Sequence, residues 1–342
     1  MQEISADGKG EKSRGDEGVD VLYIAGSGRS GSTLLANILG SVPGCFGAGE
    51  LRYLWGRGIL EDRLCGCGQR FGQCPVWRDI LDEAGLSGDR ATIEAHARRM
   101  IELQSRATRI RHIPHLLRYR DRPQAVLSDL DDYADRIGSL YKAIAATSHS
   151  SVIVDSSKLP SYGFLLAGVP GVRIHVVHLV RDPRAAAYSW LRKKALPDLS
   201  ARAFMERQST VRSAALWDTW NTTARLLWEH SEVPYMAVRY EDFVAQPEVV
   251  VRSILGLVGG APGELPFTGP RAVRLATNHT VAGNPNRLDV GQVTVRSDDE
   301  WMGSMRTPDR LLVTAVTAMT LRRFGYRLRV DGAARKAASS AA

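Results

Sequence analysis

Residues 26–33, GSGRSGST, have the make-up of an anion cradle. Gly26, Gly28 and Gly31 permit tight turns and let backbone N–H groups approach a negative charge. A helix that starts near Ser32 adds the positive end of its dipole. The spacing fits the phosphate-binding pattern G-x-x-x-x-G-K-[ST] at Gly26, Gly31 and Thr33, but Ser32 stands where the lysine should be. A kinase or ATPase of that type needs the lysine together with Mg²⁺. The loop's only cation is Arg29, inside the turn. A Gly/Ser-rich turn without a ligand is the bland reading, and the strand before and the helix after it argue against that.

A second strand–turn–helix junction lies at residues 178–189, HLVRDPRAAAYS. Asp182 suits an N-cap and Pro183 the first turn of a helix. Arg181 leaves the carboxyl end of the strand and Ser189 lies two turns into the helix, so both are placed to meet one anionic group. The alternative is that Arg181 and Arg184 are surface charges paired with acids, the usual fate of a lone arginine.

Stepping outward, short apolar strands are expected at 21–25, 151–154, 173–180 and 235–238, with a further short one ending before Glu50. Helical patterns follow at 33–39, 184–194 and 201–230. This alternation implies right-handed crossovers and an α/β fold: a three-layer, P-loop-like arrangement with a central parallel sheet flanked by helices. Ligands of such sheets sit at the carboxyl ends of the strands, where both junctions fall. Residues from about 58 to 148 interrupt the alternation and read as a helical insertion, a candidate cap over the pocket. Residues 1–18 and 331–342 read as disordered tails flanking a domain at 19–330.

The 342 residues carry a formal charge of +8, which favours anionic partners without naming one. An apolar fraction of 44% makes a sizeable core feasible. No apolar run reaches the roughly 20 residues of a membrane helix. The N-terminus lacks an apolar signal segment, and four cysteines make no disulfide scaffold, so a cytoplasmic protein is expected.

The motifs GSGRSGSTLL and VRDPRAAAYSW resemble the two donor-binding elements of nucleotide-dependent sulfotransferases, and GAGELRYLW, VDSSKLP, VRYEDF and NHTVAGNPNRL extend the resemblance in matching order. It covers most of residues 20–326 outside the insertion. The likeness is to the bacterial branch that also resembles tyrosylprotein and carbohydrate sulfotransferases. It implies 3′-phosphoadenosine 5′-phosphosulfate (PAPS) as donor, a hydroxyl on a small molecule, glycan or lipid as acceptor, and no metal requirement. Gly28, Arg29, Ser30, Gly31, Ser32 and Thr33 would cradle the 5′-phosphosulfate, and Arg181 and Ser189 would hold the 3′-phosphate. Tyr240 would contact the nucleotide. Asn284 and Arg287 would close over the 3′-phosphate, with Lys193 a looser match.

By the same resemblance Glu50 accepts the acceptor's proton, and partial burial should raise its pKa for that task. A glutamate favouring a helix N-terminus is the competing reading. Lys158 resembles the lysine that neutralises charge on the transferring group, a role Arg29 would share. For Lys158 an exposed lysine is the competing reading, and for Tyr240 ordinary core packing. His175, His178 and His279 are rival bases, the first two better read as core histidines on opposite faces of a strand.

Cys65, Cys67 and Cys74, with Cys45 as the candidate fourth, have the residue types of a four-thiolate zinc site, but C-x-C-x₆-C lacks the common paired knuckles. Reduced cysteines in an ordered loop are the simpler reading, and the site expected for catalysis contains no metal. Two other functions compete: a small-molecule P-loop kinase, and a basic nucleic-acid-binding protein suggested by the arginines between 98 and 122. That segment has little aromatic interleaving, so no nucleic-acid partner is expected.

Overall fold

The computed structural model describes residues 18–199, 203–259 and 263–329. The tails expected at 1–18 and 331–342 lie outside them, Gly18 excepted. Strands β1 (Val19–Ala25), β2 (Cys45–Gly49), β3 (Val152–Lys158), β4 (Val172–Val180) and β5 (Tyr235–Arg239) form one sheet in the order β2-β3-β1-β4-β5. Every pairing in it is parallel. The central strand β1 shows why its apolar run is continuous. Val21, Tyr23 and Ala25 enter one core, while Leu22 and Ile24 enter the other. A strand covered on both faces has no polar side to alternate with.

The first core lies beneath helices Arg90–Thr108, Asp131–Ser148 and Pro160–Ala167 and the end of Thr210–Trp228. The second lies beneath helix α1 (Ser32–Leu39) and helices Tyr240–Ala245 and Pro247–Gly256. This is the three-layer α/β fold expected from the alternation. A small antiparallel sheet of β6 (Phe267–Gly269), β7 (Ala272–Leu275) and β8 (Gly291–Thr294) also joins the second core. Its strands of three and four residues are too short to show a period in sequence.

The segment between β2 and β3 differs from the expected cap. Helix Arg90–Thr108 packs on Pro160–Ala167 and on Asp131–Ser148, and Asp131–Ser148 packs on the sheet; together the two contribute Met100, Leu103, Tyr133, Ile137, Leu140 and Tyr141 to the first core. An amphipathic helix buries its apolar stripe on the largest apolar surface it can reach, which here is the sheet face. Two helices are also shorter than expected. The helix after β4 spans Pro183–Leu191 because Arg192 turns to extended backbone. The next spans Thr210–Trp228, where the Ser209 side chain caps by accepting from the Arg212 N–H. Between them the chain folds back on itself: the Leu196 N–H donates to the Ala203 carbonyl and the Met205 N–H to the Lys194 carbonyl.

Candidate active site

All five strands of the parallel sheet deliver a candidate residue at their carboxyl ends. The loop of Gly28, Arg29 and Thr33 follows β1, Glu50 follows β2, Lys158 ends β3, Arg181 follows β4 and Tyr240 follows β5. With Gly31, Ser32, Ser189 and Asn284 they line a single cavity of about 710 Å³. Lysine and arginine outnumber carboxylates nine to four along its wall.

Gly31 caps α1 in the left-handed region with φ 93°. A Cβ there would stand 2.5 Å from the Tyr240 ring, so the loop needs glycine both for its turn and for the aromatic packed on it. Arg29 also takes a left-handed conformation, φ 67°. Its guanidinium lies over the Trp190 ring at 4.5 Å and donates to Met205 Sδ at 3.3 Å. Burial, with Arg192 and Arg181 nearby, lowers its pKa to about 10. Arg181 is buried, stacks on Tyr240 at 4.5 Å, donates to the Arg29 carbonyl at 3.2 Å and pairs with Asp298 at 3.0 Å. Burial alone would raise Asp298, but Arg181 and Arg192 outweigh it and hold the carboxyl low. The buried Nε atoms of Arg29 and Arg181 have no hydrogen-bond partner in the protein. Crowded cations with unmet donors are what an incoming polyanion would satisfy.

Glu50 and Lys158 form a buried ion pair at 2.6 Å. Lys158 sits beyond a register break between β1 and β3, with φ 68°, and the Gly26 N–H donates to its carbonyl at 3.1 Å. A bulge re-aims the strand end, and a left-handed non-glycine residue there is strain retained at a site. The turn is held by Asp155, which accepts from the Ser157 N–H at 2.8 Å and from the Tyr141 hydroxyl at 2.6 Å. Burial pushes the Asp155 carboxyl up to about 6 despite those bonds. Glu50 goes the other way from the sequence expectation. Burial alone would raise it, but Lys158, Arg57 and Arg52 together hold it below the usual glutamate value.

The remaining candidates separate. Ser30 is buried behind the loop with an unpartnered hydroxyl and does not reach the cavity wall. The Asn284 N–H donates to Thr33 Oγ1 at 3.4 Å, at the start of α1. Arg287 lies off the cavity wall, donating to the Leu64 carbonyl at 2.8 Å and pairing with Asp198 at 3.1 Å. Lys193 points outward over the Phe204 ring at 3.8 Å, and it is Lys194 that reaches the cavity. Arg184 is buried against Asp182 at 2.6 Å. His175 binds Asp20 at 2.9 Å. His178 is held between Tyr235 and Asn221, and burial lowers it to about 4. His279 is away from the cavity, beside Cys65 and Cys74.

Sequence reasoning missed Arg52, Tyr53, Arg57, Arg63, Arg192 and Asp298 on the cavity wall. Arg52 and Arg192 carried a signal, each lying within three residues of a candidate, Glu50 or Ser189. Asp298 carried none, because only tertiary packing brings it to Arg181. The helices between 92 and 147 contribute nothing to the wall. Arginines there pair along their own helix, as Arg98 does with Glu94 at 2.9 Å and Arg106 with Glu102 at 2.6 Å, on solvated faces. Among the described residues no helix is long and apolar enough to cross a membrane.

No curated protein matches the chain. Among solved structures it is similar to the sulfotransferase domain from the Synechococcus PCC 7002 olefin synthase, at 21% identity over 92% of this chain and 98% of that one, with a TM-score of 0.47. It is also similar to the sulfotransferase domain from the curacin biosynthetic pathway, at 16% identity over 92% of this chain and 99% of that one, with a TM-score of 0.50. At 16% identity the second likeness concerns the fold alone. The family model described as "Sulfotransferase family" matches residues 22–261, well over half of the sequence. The chain therefore belongs to the sulfotransferase family.

Proposed function

We propose that the protein transfers a sulfuryl group from PAPS to a hydroxyl of a small-molecule, glycan or lipid acceptor. The observation that carries this reading is the convergence on one cavity of two anion-binding elements, the loop after β1 and the Arg181–Ser189 junction. A donor with phosphate groups at both its 3′ and 5′ positions needs two such elements, and ATP does not.

In this reading the loop from Gly28 to Thr33 holds the 5′-phosphosulfate, Arg181 and Ser189 hold the 3′-phosphate, and Tyr240 and Asn284 flank the nucleotide. Arg287 acts indirectly, by anchoring the loop that carries Asn284. The sulfur–oxygen bond to the leaving phosphate breaks as the bond to the acceptor oxygen forms, and the acceptor proton passes to Glu50. Lys158 and Arg29 balance charge on the transferring group and leaving oxygen, where preorganised cations act most strongly. The Glu50–Lys158 pair keeps the base ionised at neutral pH and ready to accept. Its low basicity is offset by position rather than by pKa. The transfer step itself calls on no metal.

The test is incubation with labelled donor and a metabolite extract, read by mass spectrometry for sulfated products. Glu50→Ala should lose about 10²- to 10⁴-fold in turnover while still binding adenosine 3′,5′-bisphosphate without Mg²⁺. Full turnover by that variant would move the base elsewhere, and strict Mg²⁺ dependence of nucleotide binding would favour a kinase.

A further inference from the structure

Away from the cavity, Cys65, Cys67, Cys74 and His279 bring one ligand atom each to within 4.8 Å of one another. Cys67 Sγ is 3.8 Å from Cys74 Sγ, while His279 Nδ1 is 3.3 Å from Cys74 Sγ and 3.8 Å from Cys65 Sγ. In a tetrahedral site with Zn–S near 2.3 Å and Zn–N near 2.0 Å, neighbouring ligands stand about 3.5–3.8 Å apart. These three separations lie within about 0.3 Å of those edges, and all four ligand atoms stay within 4.8 Å of one another. Cys45, the fourth cysteine considered in the sequence reading, lies on β2 outside the cluster, and His279 takes that place.

We propose that these four residues bind one Zn²⁺ as a structural site. Three thiols and one imidazole are the donor set that suits zinc, and four protein ligands leave no open position for a substrate. Binding converts the three thiols to thiolates and releases their protons to solvent.

The surrounding backbone is already shaped for such a site. The Gly66 N–H donates to the Thr280 carbonyl at 3.0 Å, and a Cβ on Gly66 would fall 1.8 Å from Asn278 Oδ1. The Trp77 indole donates to the His279 carbonyl at 2.6 Å. The metal would thus staple the 65–74 loop to the 278–281 segment, more than two hundred residues further on. That segment continues to Ala282, whose carbonyl accepts from the Glu50 N–H at 3.3 Å. Zinc loss should therefore loosen Glu50 without removing any group that touches the cavity.

The experiment is elemental analysis of the full chain purified under reducing conditions without added metal, or reloaded with Zn²⁺ if it emerges without metal. About one zinc per chain is expected. Cys65→Ser and His279→Ala should lose it, and Cys45→Ser should keep it. Since misfolding of the first two variants would also lose the metal, the wild-type protein is exchanged with Co²⁺ as well. A thiolate-to-cobalt charge-transfer band with intense tetrahedral d–d absorption is expected, and chelation should lower Tm. Failure of the reduced wild-type chain to take up either metal would overturn the proposal. So would a Cys67–Cys74 disulfide in the freshly purified protein, or full zinc retention by both ligand variants.

Discussion

Two buried carboxylates near the cavity titrate in opposite directions, and the difference lies in their partners. Glu50 faces the Lys158 ammonium at 2.6 Å, so the pair outweighs desolvation and its carboxyl stays low. Asp155 meets only neutral hydroxyl and amide donors, and burial takes it from 3.8 to about 6. Between those two values the folded chain keeps a proton that the unfolded chain gives up. The Asp155 contribution to stability is therefore largest at low pH, falls as pH rises toward about 6, and then levels off. Two pKa units correspond to about 3 kcal/mol. Asp155→Asn should flatten this slope in denaturation free energies measured from about pH 4 to about pH 8. A variant whose stability falls as steeply as wild type would show that another group carries the slope. Sequence made Glu50 and Lys158 visible as separate candidates at strand ends. Their ion pair was not visible, because nothing local joins positions 108 residues apart.

At the scale of elements, the decisive piece is the turn from β1 into α1. Its glycine pattern was readable because the conformations it requires are local and few side chains permit them. The aromatic roof was not readable as such: Tyr240 arrives from the end of β5 and packs on Gly31. Gly31→Ala should cost donor-site affinity about 10-fold or more, since left-handed strain of about 1–3 kcal/mol adds to the displaced ring. Gly256→Ala, at the end of a helix with open space around it, is the control and should leave affinity unchanged. Calorimetric titration with adenosine 3′,5′-bisphosphate checks both, and equal affinities would place the nucleotide away from this turn. The missed elements are also instructive. The β6–β8 sheet and the fold-back between Arg192 and Ser209 are held by a few backbone hydrogen bonds each, and both lack the length that makes a period visible.

For the whole molecule, the carboxyl ends of the parallel strands bring Arg29, Glu50, Lys158 and Arg181 to one cavity. A cavity wall with nine cations and four carboxylates favours an anionic ligand, as the proposed donor would be. Donor affinity should therefore weaken with salt, with Kd for adenosine bisphosphate rising roughly tenfold or more between about 0.05 M and about 1 M NaCl as the screening length contracts. A flat response would mean that the intramolecular pairs, such as Arg181–Asp298 and Arg192–Asp298, already neutralise the wall. The long segment between β2 and β3 enters this picture at its start, through Arg52, Tyr53, Arg57 and Arg63. The rest of it builds helical layers over one sheet face, with Asp131–Ser148 packed directly on the strands. Leu199 and Phe204, exposed on the fold-back, also line the cavity.

The sequence by itself determined the α/β class, the order of the parallel strands along the chain and the residues at their carboxyl ends. Those features rest on local rules: apolar runs mark buried strands, glycines mark the tight turn after β1, and Asp-Pro opens a helix. Tertiary structure alone decided which charges meet. It paired Lys158 with Glu50 and Arg181 with Asp298, withdrew Arg287 to Asp198, and brought His279 rather than Cys45 to the cysteine loop. Electrostatic energy depends on distance and burial, and neither can be read along a chain whose partners lie so far apart in sequence.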